Sequence, residues 1–112
     1  MGVLEGKEPE KVFRFFEEIA AIPHGSGNVK QISDYLVEFA KNRNLKYRQD
    51  EKLNVIIWKD GTPGYEDADT VILQGHMDMV AVKTADCDKD MKKEGLELQT
   101  DGDFLCAKGT SL

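Results

Sequence analysis

His76 and Asp78 are the pair of residues in this sequence whose types and spacing could do chemistry together. They follow an apolar run at residues 70–74, and if that run is a β-strand, its alternation directs both side chains to the same side. A metal-bound imidazole usually donates its second ring N–H to a carboxylate. Catalytic zinc, however, requires three protein ligands. The spacing alone therefore favours an ordinary polar pair in a turn after a strand.

Two other polar residues, His24 and Ser26, lie in a glycine-rich stretch between apolar segments. For His24 a role in the turn is a better interpretation than metal ligation. Ser26 has no evident base or acid partner in the sequence, so a structural role near the start of a helix is favoured over a nucleophilic one. Neither residue is assigned to the candidate site.

Carboxylates also cluster in two later segments. Asp101 and Asp103 flank Gly102 between two short apolar runs, which is typical of a hairpin whose turn needs a positive φ. A second group has an alternating spacing but lacks the glycine and terminal glutamate of a calcium loop, so it indicates a solvated loop. This group consists of Asp86, Asp88 and Asp90.

The periodicity of apolar residues predicts two helices followed by several strands. Apolar residues recur at three- and four-residue spacing over residues 9–22 and again over residues 28–44. Strands are predicted at residues 45–49, 54–58, 70–74, 96–100 and 104–107. We expect an α/β fold with helices packed on a mixed β-sheet. The run at residues 70–74 suits a central strand that is buried on both faces.

The composition is that of a globular protein and excludes several classes of function. Hydrophobic residues make up 40% of the sequence and charged residues 32%, and the net charge is −6. An acidic chain without clustered Lys and Arg is not expected to bind nucleic acid. No stretch has the length of a membrane span, so no membrane association is expected. Cys87 and Cys106 fit no Cys-x-x-Cys pattern and indicate reduced thiols in a cytoplasmic protein.

Four motifs together change the interpretation of His76. The sequence resembles the aminoacyl-histidine dipeptidases, also called cytosolic non-specific or Xaa-His dipeptidases, within the zinc aminopeptidase and deacylase superfamily. The strongest likeness is an apolar strand followed by Gly75-His76-Met77-Asp78. The further motifs lie in the expected order and are Ile22-Pro23-His24-Gly25-Ser26-Gly27-Asn28, Thr62-Pro63-Gly64-Tyr65-Glu66 and Gly109-Thr110-Ser111-Leu112.

The resemblance implies a metal-dependent enzyme that hydrolyses unblocked dipeptides, including Xaa-His. His76 is then a ligand to one of two metal ions, zinc or another divalent ion such as cobalt or manganese. Asp78 is the catalytic-site carboxylate that orients His76. We expect the general base and the remaining ligands to lie beyond Leu112. Residues 1–112 then form the amino-terminal part of a zinc-exopeptidase-like catalytic domain, without a lid domain and inactive alone.

Two alternatives remain open from the sequence. The chain could be a non-catalytic truncated domain or subunit, which would self-associate or bind another chain through uncovered sheet edges or helix faces. It could also be part of a related tripeptidase or deacylase, because residues that would decide specificity are expected outside this sequence.

Overall fold

The computed structural model describes residues 2–112, which form two compact units. The first unit comprises the residues up to Ile32 together with Asp78–Leu112, and the second is Ser33–Met77. The elements are α1 (Glu10–Ala20), α2 (Lys30–Asn42), β1 (Lys46–Gln49), β2 (Val55–Trp58), β3 (Leu98–Asp101) and β4 (Phe104–Ala107). Two helices followed by short sheets confirm the predicted α/β class.

Helix α1 buries the apolar stripe that predicted it. Ala20 is buried, and Phe13, Phe16 and Ile19 are half-buried on the same side of the helix. The helix ends at Ala20, three residues before Pro23, as expected because proline disfavours the helical conformation of its predecessor. Neither helix within residues 2–112 is long and apolar enough to cross a membrane.

The loop that follows α1 pairs with a segment more than fifty residues later in the same unit. Gly25 and Met79 form a parallel β-bridge. Its two main-chain bonds run from Met79 N to His24 O at 3.0 Å and from Ser26 N to Met79 O at 3.1 Å. Gly25 is buried, and a Cβ added there would lie 2.8 Å from the Cβ of Ala81. The close approach of the two backbones therefore requires glycine at this position.

In the second unit, the buried hydroxyl of Ser33 joins α2 to the hairpin of β1 and β2. The hydroxyl donates to Leu53 O at 2.7 Å and accepts from Gln49 Nε2 at 2.8 Å. Strands β1 and β2 are antiparallel, with Lys46 opposite Trp58. The Lys46 ammonium lies 4.9 Å from the centroid of the indole ring, within cation–π range.

Strands β3 and β4 form the hairpin predicted around Gly102. They pair antiparallel, with Asp101 opposite Phe104, so the loop contains only Gly102 and Asp103. Gly102 has φ of 60° at the first central position, where a type II′ turn places glycine. Both two-stranded sheets are antiparallel. The prediction of one mixed sheet is therefore wrong for the described residues.

The prediction of a buried central strand at residues 70–74 is also wrong. The backbone there is irregular, and Val71, Ile72 and Leu73 are 80%, 84% and 93% exposed. A central strand needs a neighbour on each side to hydrogen-bond its main chain, and layers on both faces to cover its side chains. No strand within residues 2–112 pairs with this segment. Residues 70–74 are apolar, but an apolar composition does not supply a neighbouring strand for hydrogen bonding.

The turn between β1 and β2 is closed by the carboxylate of Asp50. Its Oδ1 accepts from the backbone N–H groups of Lys52 and Asn54, both at 2.9 Å, and its Oδ2 accepts from Asn54 Nδ2 at 2.9 Å. Leu53 within this turn has φ of 70°, a strained value for a branched side chain. The side-chain and backbone bonds from Asn54 lower the pKa of Asp50 below its usual 3.8.

We expect an Asp50→Asn variant to lose stability near neutral pH and to approach the wild type in acid. Because the pKa of Asp50 is lower in the folded state, its ionised form stabilises the fold above about pH 4. That contribution is lost as the pH falls through the folded-state pKa. Urea unfolding of both proteins between pH 7 and pH 2.5 checks this, and a constant difference in unfolding free energy would contradict it.

The glycine at the β-bridge gives a second stability prediction. Gly25→Ala should lower the free energy of unfolding by about 1–3 kcal/mol, because the added methyl group overpacks against Ala81. Gly75→Ala is the matched control, since a Cβ there meets no atom within 4 Å and the backbone φ is not positive. Its effect should stay within about 0.5 kcal/mol. Equal stability of the two variants in urea unfolding would refute the steric argument.

Candidate functional site

Asp78 is held by a side chain from the loop after α1. The Ser26 hydroxyl donates to Asp78 Oδ2 at 2.5 Å and lies 3.5 Å from the carbonyl oxygen of Met79. Asp78 is half-buried, whereas Ser26 is exposed. Short O–H···O⁻ bonds to an ionised acceptor are roughly twice as strong as neutral ones. One oxygen of the Asp78 carboxylate therefore has a defined position within the first unit.

His76 lies in the second unit, near its end. Its side chain is exposed, and the backbone from residue 70 to residue 76 forms no strand or helix. The unit boundary falls between Met77 and Asp78. Strand alternation would place His76 and Asp78 on the same side, but no strand forms at residues 70–76. The assignment of His76 as a metal ligand stays a prediction.

The predictions for His24 and Ser26, the two polar residues of the loop after α1, have different outcomes. His24 Nδ1 lies 2.6 Å from the carbonyl oxygen of Ile22 and must donate to it, which supports a role in the turn. The prediction that Ser26 lacks an acid partner is wrong, because its hydroxyl donates to Asp78, which lies 52 residues later in the sequence. Ser26 also does not cap α2, which begins only at Lys30. No sequence signal joins the two residues except that both lie in motifs of the family resemblance.

The described residues do not by themselves fit a complete metal site. Within residues 2–112, no group of three or more His, Cys, Asp and Glu side chains is placed to hold an ion. Both cysteines are free and only half-buried. Because catalytic zinc takes three protein ligands, one imidazole with a nearby carboxylate cannot complete its coordination.

The other carboxylate clusters lie in an exposed loop and at a hairpin, as predicted. The Thr84 hydroxyl donates to Asp86 Oδ1 at 2.7 Å and lowers the pKa of that carboxyl. Asp90 Oδ1 accepts from the backbone N–H of Lys92 at 3.0 Å. Asp103 lies in the two-residue turn between β3 and β4. Asp86 and Asp90 therefore have local structural roles in their loop.

A cleft of about 630 Å³ lies beside the Ser26 loop, entirely within the first unit. Its volume is within the range of about 300–1,000 Å³ that is usual for small-ligand sites. The cleft is lined by Gly25, Ser26, Gly27, Asn28, Val80, Ala81, Met91 and Lys92. The lining therefore combines a glycine-rich loop with apolar side chains and one lysine.

Comparison with known proteins identifies relatives of the whole chain. No protein-family model matches it. The cytosol non-specific dipeptidase of Escherichia coli (strain K12) is 34% identical over 112 residues, which is 100% of this chain and 23% of that protein. The crystal structure of aminoacylhistidine dipeptidase from Vibrio alginolyticus matches 97% of this chain and 22% of that one, with a TM-score of 0.90 and 34% identity.

The chain therefore spans less than a quarter of the length of either relative. The agreement of sequence and fold confirms the resemblance that the motifs indicated. Over its whole length the chain is a homologue of a segment of the cytosol non-specific dipeptidase, and it also matches a segment of the aminoacylhistidine dipeptidase in sequence and fold.

Proposed function

We propose that this chain is a portion of a metal-dependent dipeptidase that hydrolyses unblocked dipeptides. The observation that carries the proposal is the match to both dipeptidases over nearly all of the chain, at 34% identity and a TM-score of 0.90. The name of the Vibrio relative specifies aminoacylhistidine, so Xaa-His dipeptides are the proposed substrates. The name of the E. coli relative supports a cytoplasmic location.

In this proposal, His76 contributes one ligand to a metal centre and Asp78 is the carboxylate that orients the imidazole. The chemistry that a divalent ion, zinc or else cobalt or manganese, would supply there is polarisation of the scissile carbonyl and a lower pKa for a bound water. The remaining ligands, a second ion and the general base are assigned to the parts of the relatives that this chain does not match. The described residues supply the Asp78 carboxylate, one oxygen of which accepts a hydrogen bond from Ser26.

A chimera tests the assignment. The matched segment of the E. coli dipeptidase is replaced by this chain, and hydrolysis of Xaa-His dipeptides is measured with added zinc, cobalt or manganese. We expect turnover that falls to the assay background in His76→Ala, because a first ligand is lost. Asp78→Ala should lower kcat by about 10- to 100-fold, as is usual when the group behind a metal-bound histidine is removed.

Two controls accompany the chimera. His24→Ala removes the other histidine, whose Nδ1 donates to the Ile22 carbonyl, and should retain most of the activity. The 112-residue chain alone, assayed with the same metals, should give no turnover. Undiminished turnover of a folded His76→Ala chimera would refute the ligand assignment. Turnover by the chain alone that is lost in His76→Ala would refute its incompleteness.

We propose, as a second property, that the isolated chain self-associates through residues 70–74. The observation in favour is the exposure of three consecutive apolar side chains, Val71, Ile72 and Leu73, on irregular backbone. Such a segment offers unpaired main-chain groups and apolar surface to a second copy. This property is compatible with either a dipeptidase fragment or a non-catalytic subunit.

Substitution by lysine tests this association. Leu73→Lys should weaken dimer formation at least about tenfold in sedimentation equilibrium, since a charge would be desolvated at the contact. Val12→Lys is the matched control, because Val12 is 60% exposed on α1 and lies outside the proposed surface. A monomeric wild-type chain at all concentrations, or equal effects of the two substitutions, would contradict the proposal.

A further inference from the structure

The strongest unassigned feature of the molecule is the contact between Ser26 and Asp78, which joins a loop residue to the proposed catalytic carboxylate across 52 positions of sequence. The carboxylate has no proton to give when ionised, so the hydroxyl donates. The separation of 2.5 Å is at the short end for a hydroxyl bonded to an anion.

The backbone around Ser26 is held by hydrogen bonds on both sides of the residue. Ser26 N donates to Met79 O at 3.1 Å, and Asn28 N donates to Gly25 O at 2.8 Å, which closes the turn. The Asn28 amide donates to Lys92 O at 3.0 Å and anchors the far end of the loop. Both the main chain and the hydroxyl of Ser26 are thus directed at residues 78–79.

This arrangement suits a carboxylate that must act through its other oxygen. With Oδ2 held by the hydroxyl, rotation of the carboxyl group is restricted, which also limits the directions in which Oδ1 can point. Carboxylates around metal sites are commonly held in place by further hydrogen bonds. A contact confined to main-chain atoms would join the two segments equally well but would not restrict the carboxylate.

We propose that Ser26 is a positioning residue, whose hydroxyl fixes the rotamer of the Asp78 carboxylate so that it can orient His76. The role in orienting His76 rests on the proposed dipeptidase function. The fixed rotamer itself does not, because both partners lie within the first unit of this chain. The substrate and the metal therefore need not be present for the contact to be tested.

The test measures the Asp78 side-chain rotamer in the 112-residue chain by NMR. In the wild type, the two Hα–Hβ coupling constants of Asp78 should correspond to one staggered rotamer. In Ser26→Ala both should move toward the intermediate values that are expected for averaging among rotamers. Ser26→Thr, which keeps the hydroxyl, should restore the wild-type pattern.

The matched control is Ser111→Ala. The Ser111 hydroxyl donates to Val80 O at 2.6 Å and accepts from Val82 N at 3.1 Å, so it holds the same stretch of chain without a carboxylate partner. Its loss should leave the Asp78 couplings unchanged. A structural role alone would make the two alanine variants alike.

A double-mutant cycle gives a second measurement. Ser26→Ala should raise the unfolding equilibrium constant about threefold to tenfold when Asp78 is present, and no more than about twofold when Asp78 is alanine. Unchanged couplings in Ser26→Ala, or equal changes in Ser111→Ala, would overturn the proposal. Absence of turnover in the chimera would reject the dipeptidase function and leave the rotamer result standing.

Discussion

The main-chain pairing between the loop after α1 and Met79 is the interaction on which the first unit depends. Its two hydrogen bonds bring together segments that are more than fifty residues apart. The entropic cost of closing this loop is offset by the contacts that the pairing makes possible, among them the Ser26–Asp78 hydrogen bond. A single methyl group at Gly25 would press on Ala81, so the approach tolerates no side chain there.

Pairing also explains why an apolar segment is left exposed. Residues 70–74 have the composition of a buried strand, yet a strand is stabilised by the hydrogen bonds and side-chain contacts of its neighbours. Strands β1 and β2 obtain both from each other, with alternating half-buried and exposed residues along β2. The segment before His76 obtains neither within the described residues, and three apolar side chains face solvent as a result.

Local elements were predictable to within about two residues at their ends. Helix α1 and the two hairpins follow from apolar periodicity, the position of Pro23 and the positive φ required at Gly102, which are properties of short stretches. The prediction of a strand at residues 70–74 is wrong because a strand needs hydrogen-bonding partners, and the periodicity of apolar residues does not reveal whether partners are present. The prediction of a mixed sheet is wrong for the same reason, since that strand was expected at its centre.

The candidate site, too, was predictable only in part. Residue types and the family resemblance were sufficient to name His76 and Asp78 as candidates, to predict the hairpin around Gly102, and to leave His24 in a turn. Only the tertiary structure joined Ser26 to Asp78, because a hydrogen bond across 52 residues depends on how the backbone folds back and has no local signature. Local sequence encodes local conformation through sterics and capping, whereas contacts between distant side chains arise when packing has placed both backbones.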